Sequence, residues 1–234
     1  MTSEVPAAAN EPRAPAIPPS LFALAIFYGG MVCIAGVLGN KQVAPWPLTQ
    51  LGYPIIGRPL AVEAGIFAFL LLVVTSSSVA ELHGRKIAGR LVLIGFVPLI
   101  VSLLLSLFVL ALPASPDMQP ERLTAFETIM GGTPRIWLGG ILAYGISTFL
   151  NVTIFSRLKA SEGRGLLWLR SAVASALSQI VDTLIFISVA FYGVFPIQEL
   201  IVGQMIAKVA LSATLVPPFV YAFVALGRAL DARA

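Results

Sequence analysis

The sequence predicts an all-α integral membrane protein of six transmembrane helices. Of its 234 residues 58% are hydrophobic and only 11% charged, with a mean hydropathy of +0.92, whereas an ordinary soluble domain is about 25% charged. Apolar runs of about 20 residues, each long enough for a hydrocarbon core of roughly 30 Å, recur along nearly the whole chain. Barrel strands would instead alternate over about 10 residues. The lipid bilayer is therefore the first partner the composition implies.

Taken in order, residues 1–20, "MTSEVPAAANEPRAPAIPPS", are too rich in Pro and Ala for a regular helix or a core, and read as a flexible tail. A signal peptide would start basic and end at a small-residue cleavage site. This polar start precedes a full-length apolar run and is expected to be retained. Residues 21–230 form one membrane domain with spans at Leu21–Gly39, Leu60–Ala80, Leu91–Leu112, Ile136–Phe155, Ala172–Phe195 and Ile197–Leu226. Pro217-Pro218 should kink the last span or end its regular part. The third connection places Leu123, Phe126 and Met130 at helical spacing among charges, the pattern of a short amphipathic helix on the outer surface.

Basic residues orient the spans. Arg13, Arg85, Lys86, Arg90, Arg157, Lys159, Arg164, Arg170, Arg228 and Arg233 fall on one side, against Lys41, Arg58, Arg122 and Arg135 on the other. The positive-inside rule puts both termini in the cytoplasm. The net charge of +4 reflects this asymmetry and gives no reason to invoke direct nucleic-acid binding.

A carboxylate in the fifth span is the position most in need of explanation. An ionisable side chain at bilayer depth costs roughly 3 kcal/mol on insertion scales, so such groups are usually buried between helices and usually functional. At 100° per residue Ser171, Ser175, Ser178, Gln179, Asp182, Phe186 and Val189 share one face, while Val173, Leu177, Ile180, Leu184 and Ile187 lie opposite on a lipid-like face. The serines alone are explained by close helix packing. Gln179 with Asp182 asks for more. Counting outward from the Phe195-Pro196 turn, Asp182 and Lys208 of the sixth span reach nearly the same depth, so the two are expected to interact directly or through water. Such a contact reads either as a neutralising ion pair or as part of a pocket that uses one or both charges on a substrate.

Other polar positions are less costly. Asn40, with Lys41 and Trp46 at the outer end of span one, could cap that helix or face a pocket, and Trp46 suits an interface anchor. Glu81, His83, Arg85 and Lys86 read as a solvated helix end, and Asn151 with Ser147 and Tyr144 as another polar site. Cys33 is single, so no disulfide framework or Cys/His metal centre arises within one chain. No cofactor is called for. His83 is the only histidine and is remote from the Ser171 to Ser178 stripe, Asp182 is the only Asp in any span, and no P-loop appears, so catalytic residues are none and an enzyme is not expected. A small-molecule carrier, a substrate-binding subunit or a non-transporting membrane scaffold remains.

The stretch "WLRSAVASALSQIVDTLIFISVAF" resembles the signature of the queuosine-precursor transporter family, also called vitamin-uptake-like transporters, through Arg170, Ser175, Ser178, Gln179, Asp182, Thr183, Phe186, Ala190 and Phe191. Asn40-Lys41 and Glu81 to Gly84 are similar to further family positions, and the resemblance runs from about Leu21 to Leu226. The family pattern has an Asp four residues before that Glu, where this chain has Ser77. The resemblance implies a fold similar to the substrate-binding subunits of energy-coupling-factor vitamin transporters, in the bacterial cytoplasmic (inner) membrane. It also implies import of a planar, nucleobase-like 7-deazaguanine precursor of the tRNA nucleoside queuosine. On that reading Asp182 accepts the paired N–H donors of the base, Gln179 or Lys208 serves its carbonyl, Phe186 or Trp46 stacks on its face, and Asn40 joins the site. The alternative is an energy-coupling-factor subunit with a different ligand. No motor domain is present, so ATP coupling would need an energising partner.

Overall fold

The computed structural model describes residues 17–44, 48–161 and 167–233, the side chains of 151–176 and a few single positions excepted. The first sixteen residues and Trp46 lie outside that description, as do the side chains of Asn151, Arg170, Ser171, Ser175 and Ser178. All long elements are helices: α1 (Pro19–Leu38), α3 (Gly65–His83), α4 (Arg85–Ile94), α5 (Phe96–Ala111), α6 (Pro120–Ser161), α7 (Leu167–Phe191), α8 (Ile197–Thr214) and α9 (Val216–Asp231), with a short α2 (Gly52–Ile56). Among the described residues, helices 19–38, 65–83 and 85–111 are long and apolar enough to cross a membrane. The bent pair α8–α9 makes a fourth if taken as one span. Their outward faces are apolar, with Phe22 and Ile26 on α1 and Val101, Leu104 and Phe108 on α5 all exposed. Such faces suit lipid, in which neither side chain nor backbone finds a partner outside the helix.

Local chemistry explains the boundaries. Pro19 opens α1, where its missing N–H costs nothing. Gly84, at φ 87°, separates α3 from α4 in a backbone conformation that side-chain-bearing residues avoid. The bend of 49° between α8 and α9 falls just before Pro217-Pro218, where the sequence predicts a kink.

Three expectations need correction. Span two does not begin as a helix at Leu60: Val62–Glu63 form β2, paired antiparallel with β1 (Gln42–Val43) in the register Gln42 to Glu63 and Val43 to Val62. The Ala64 N–H, bonded to Lys41 O at 2.8 Å, then hands the chain over to α3. The amphipathic stretch around Phe126 is no separate helix, because α6 runs unbroken for 42 residues through Gly131, Gly132 and Pro134. Those residues disfavour helix, but tertiary contacts override propensity there. Asn40 donates to Thr133 Oγ1 at 2.8 Å, Arg135 donates to the carbonyls of Val189 and Tyr192 at 3.0 and 2.9 Å, and Trp137 is buried. Finally, Ile187 does not face outward with Leu177, Ile180 and Leu184, which are exposed. It is buried with Ile136, Ala190, Phe191 and Leu200, because α8 returns against that face of α7.

One end of the bundle is tied by a polar knot. Ser20 of α1 donates its backbone N–H and its hydroxyl to Asp231 of α9 at 2.9 and 2.7 Å, and its Oγ lies 2.8 Å from His83 Nε2 of α3. The three residue types evoke a hydrolytic triad, but the acid here bonds the serine instead of orienting the histidine, and Ser20 is 0% exposed. The group is a latch that joins the start of α1 to the ends of α3 and α9. Because the hydroxyl proton goes to Asp231, His83 is left to donate to Ser20.

Candidate functional site

Between the helices lies a cavity of about 430 Å³ walled by α1, α3, α4, α5, α6, α7 and α8 together with β2. That volume falls within the roughly 300–1,000 Å³ of small-molecule sites. Six aromatic side chains line it: Tyr28, Phe69, Phe96, Trp137, Tyr144 and Phe186. The polar residues Glu63, Ser76, Ser147, Gln179, Asp182, Gln204 and Lys208 line it as well.

Helical spacing arranges the polar groups. Gln179, Asp182 and Phe186 occupy the cavity face of α7 at i, i+3 and i+7, and Gln204 and Lys208 stand one turn apart on α8. Asp182 Oδ2 accepts from Lys208 Nζ at 2.7 Å and its Oδ1 accepts from Ser147 at 3.2 Å. Lys208 also donates to Thr183 Oγ1 at 3.2 Å and sits 5.2 Å from the centre of the Phe69 ring. With side-chain exposures of 13% and 16%, Lys208 and Asp182 form a largely desolvated pair, the direct contact that their equal depths predict.

A second polar pair lies one turn along α8. Gln204 Nε2 donates to Glu63 Oε1 at 2.9 Å, and both side chains are buried, at 1% and 3% exposure. Glu63 precedes the first turn of α3, where the helix dipole favours negative charge. The close approach of α8 is possible because residue 203 is glycine: a Cβ there would collide with the backbone carbonyl of Ala61. Sequence reasoning does not find this pair. The available signal was the four-residue spacing of Gln204 and Lys208, which puts two polar groups on one face of an otherwise apolar helix.

The structure thus brings Asp182, Gln179, Lys208 and Phe186 to one cavity and leaves Asn40 outside its lining. The Asn40 amide donates to Gly36 O and Val37 O, both at 3.2 Å, and to Thr133 Oγ1, so it caps the end of α1 and fastens it to α6.

Apolar helices around a cavity lined by aromatic and polar side chains define a helical membrane protein with a cavity of small-molecule size. The chain belongs to the vitamin uptake transporter family: residues 63–223 match the family model described as "Putative vitamin uptake transporter". It is similar to the "Probable queuosine precursor transporter" of Bacillus subtilis (strain 168), at 35% identity over 150 residues covering 62% of this chain and 63% of that protein. The chain therefore spans less than two thirds of that relative's length. No solved structure matches.

Proposed function

We propose that this chain is a carrier that brings a 7-deazaguanine precursor of queuosine, the 7-cyano or 7-aminomethyl base, into the bacterial cytoplasm. One observation carries the reading: the cavity brings Glu63, Gln179, Asp182, Gln204 and Lys208 together with several aromatic rings, which suits a flat heterocycle with a hydrogen-bonding rim. The name of the similar Bacillus protein points to the same substrate class. Phe186 supplies a face for the base, while Gln179 and Lys208 are donors suited to its carbonyl. Asp182 holds Lys208 in place. Asn40, engaged in capping α1, is not assigned to the base.

Six spans follow if α1, α3, α4–α5, α6, α7 and α8–α9 each cross once, within a carrier domain of residues 21–230. The latch supports this topology. It joins the α1 start, the α3 end and the α9 end, the three ends that the basic residues independently assign to the cytoplasm.

The test is uptake. The chain is expressed in a bacterium unable to make or import queuosine precursors, either base is fed at micromolar concentration, and queuosine is assayed in tRNA. Restored queuosine is expected. Its absence, from protein shown to be inserted in the membrane, would overturn the proposal.

A further inference from the structure

Glu63 and Gln204 hold two buried oxygens that find no hydrogen-bond partner among the described residues. Among the described residues, five buried side-chain polar atoms have no hydrogen-bond partner, and three belong to residues that line the cavity: Glu63 Oε2, Gln204 Oε1 and Trp137 Nε1. Buried polar groups are nearly always paired, so a cluster of exceptions at one cavity calls for a ligand. Glu63 Oε2 rests beside the Gly65 N–H without meeting it in hydrogen-bond geometry.

The chemistry of the pair sets the sign of each atom. The Gln204 amide turns its NH₂ toward Glu63 Oε1, and its own oxygen is left over as a second acceptor. Trp137 Nε1–H is a donor. Glu63 Oε2 lies 3.2 Å from where a Cβ on Gly39 would stand, and a Cβ on Gly36 would fall on the Trp137 indole nitrogen. Glu63 Oε2 and Trp137 Nε1 therefore both lie against the last turn of α1. The two leftover acceptors, on side chains bonded to each other, complement the edge of a lactam base that offers a ring N–H beside an exocyclic amine. Asp182 is less available for this edge, because its oxygens already accept from Ser147 and Lys208.

We propose that Glu63 and Gln204 together read the donor edge of the base, the ring N–H and its neighbouring amine, and so set specificity for a 2-amino lactam. The inference rests on the carrier function proposed above. It places the recognition of the amine on β2 and α8 and leaves the Asp182–Lys208 pair one turn along the cavity.

The test uses the full chain purified into nanodiscs, with binding of 7-cyano-7-deazaguanine and its 2-desamino analogue measured by calorimetry. A site built to bond an amine rejects the analogue that lacks it, so the 2-amino base should bind about tenfold tighter or more. Gln204→Leu should narrow the preference to about twofold or less, because leucine cannot accept a hydrogen bond. The exchange Glu63→Gln with Gln204→Glu keeps one acid and one amide in place and should retain the preference, whether or not the single variant folds. Equal affinity for the two bases in the native chain would overturn the assignment while leaving the carrier function standing, as would a preference that survives Gln204→Leu. Binding of neither base would overturn both.

Discussion

Replacing Asp182 by Asn asks how strongly the ion pair is coupled. At 2.7 Å, with both side chains at least four-fifths buried, the pair belongs to the class in which loss of one partner strands a desolvated charge. Lys208 would keep the Thr183 hydroxyl, the Phe69 ring face and the longer-range attraction of the Glu63 carboxylate, none of which replaces the 2.7 Å ion pair. The expected cost is about 3–5 kcal/mol, a fall in melting temperature of roughly 10 °C for a chain of this size. Lys208→Met should cost a similar amount. The double variant, which strands no charge and nearly preserves volume, should lie within about 1 kcal/mol of the native chain. Thermal unfolding of the four proteins in one lipid environment measures the cycle. Two single losses that simply add in the double variant would refute the coupling. Uptake then separates roles: a double variant that folds and still transports marks the pair as structural, and one that folds but no longer binds the base marks it as part of the site.

Two further outcomes follow from close contacts. Gly203→Ala should push α8 away from the Ala61 backbone, lengthen the Glu63–Gln204 bond and weaken base binding more than it lowers melting temperature, which ligand titration beside thermal unfolding would reveal. Ser20→Ala should loosen the latch, read as faster amide exchange in the first turn of α1 and the last turn of α9 with exchange near Asn40 unchanged. Uniform acceleration along α1 would contradict a local tie.

Much of this molecule is legible in its sequence because the bilayer constrains it so tightly. Apolar run lengths mark the helices, Pro217 foretells the bend, and equal residue counts from one turn place Asp182 opposite Lys208. What escapes depends on contacts distant in sequence. Gly131, Gly132 and Pro134 look like a loop until Asn40, nearly a hundred residues earlier, is seen to bond Thr133. Leu60 to Glu63 reads as the start of a span until Gln42 and Val43 pair with its end. Glu63 and Gln204 lie 141 residues apart, and neither stands out locally. Asn40 satisfies both of its sequence readings until its amide is found on the carbonyls of its own helix.

The closeness of Asp182 and Lys208 also decides how this part of the protein responds to voltage. Moving one elementary charge through the membrane potential is worth about 2.3 kcal/mol per 100 mV. Two opposite charges locked at 2.7 Å on neighbouring helices travel as a dipole, and any rearrangement that carries α7 and α8 together moves no net charge through the field. The membrane potential can act on the pair only by pulling it apart or turning it.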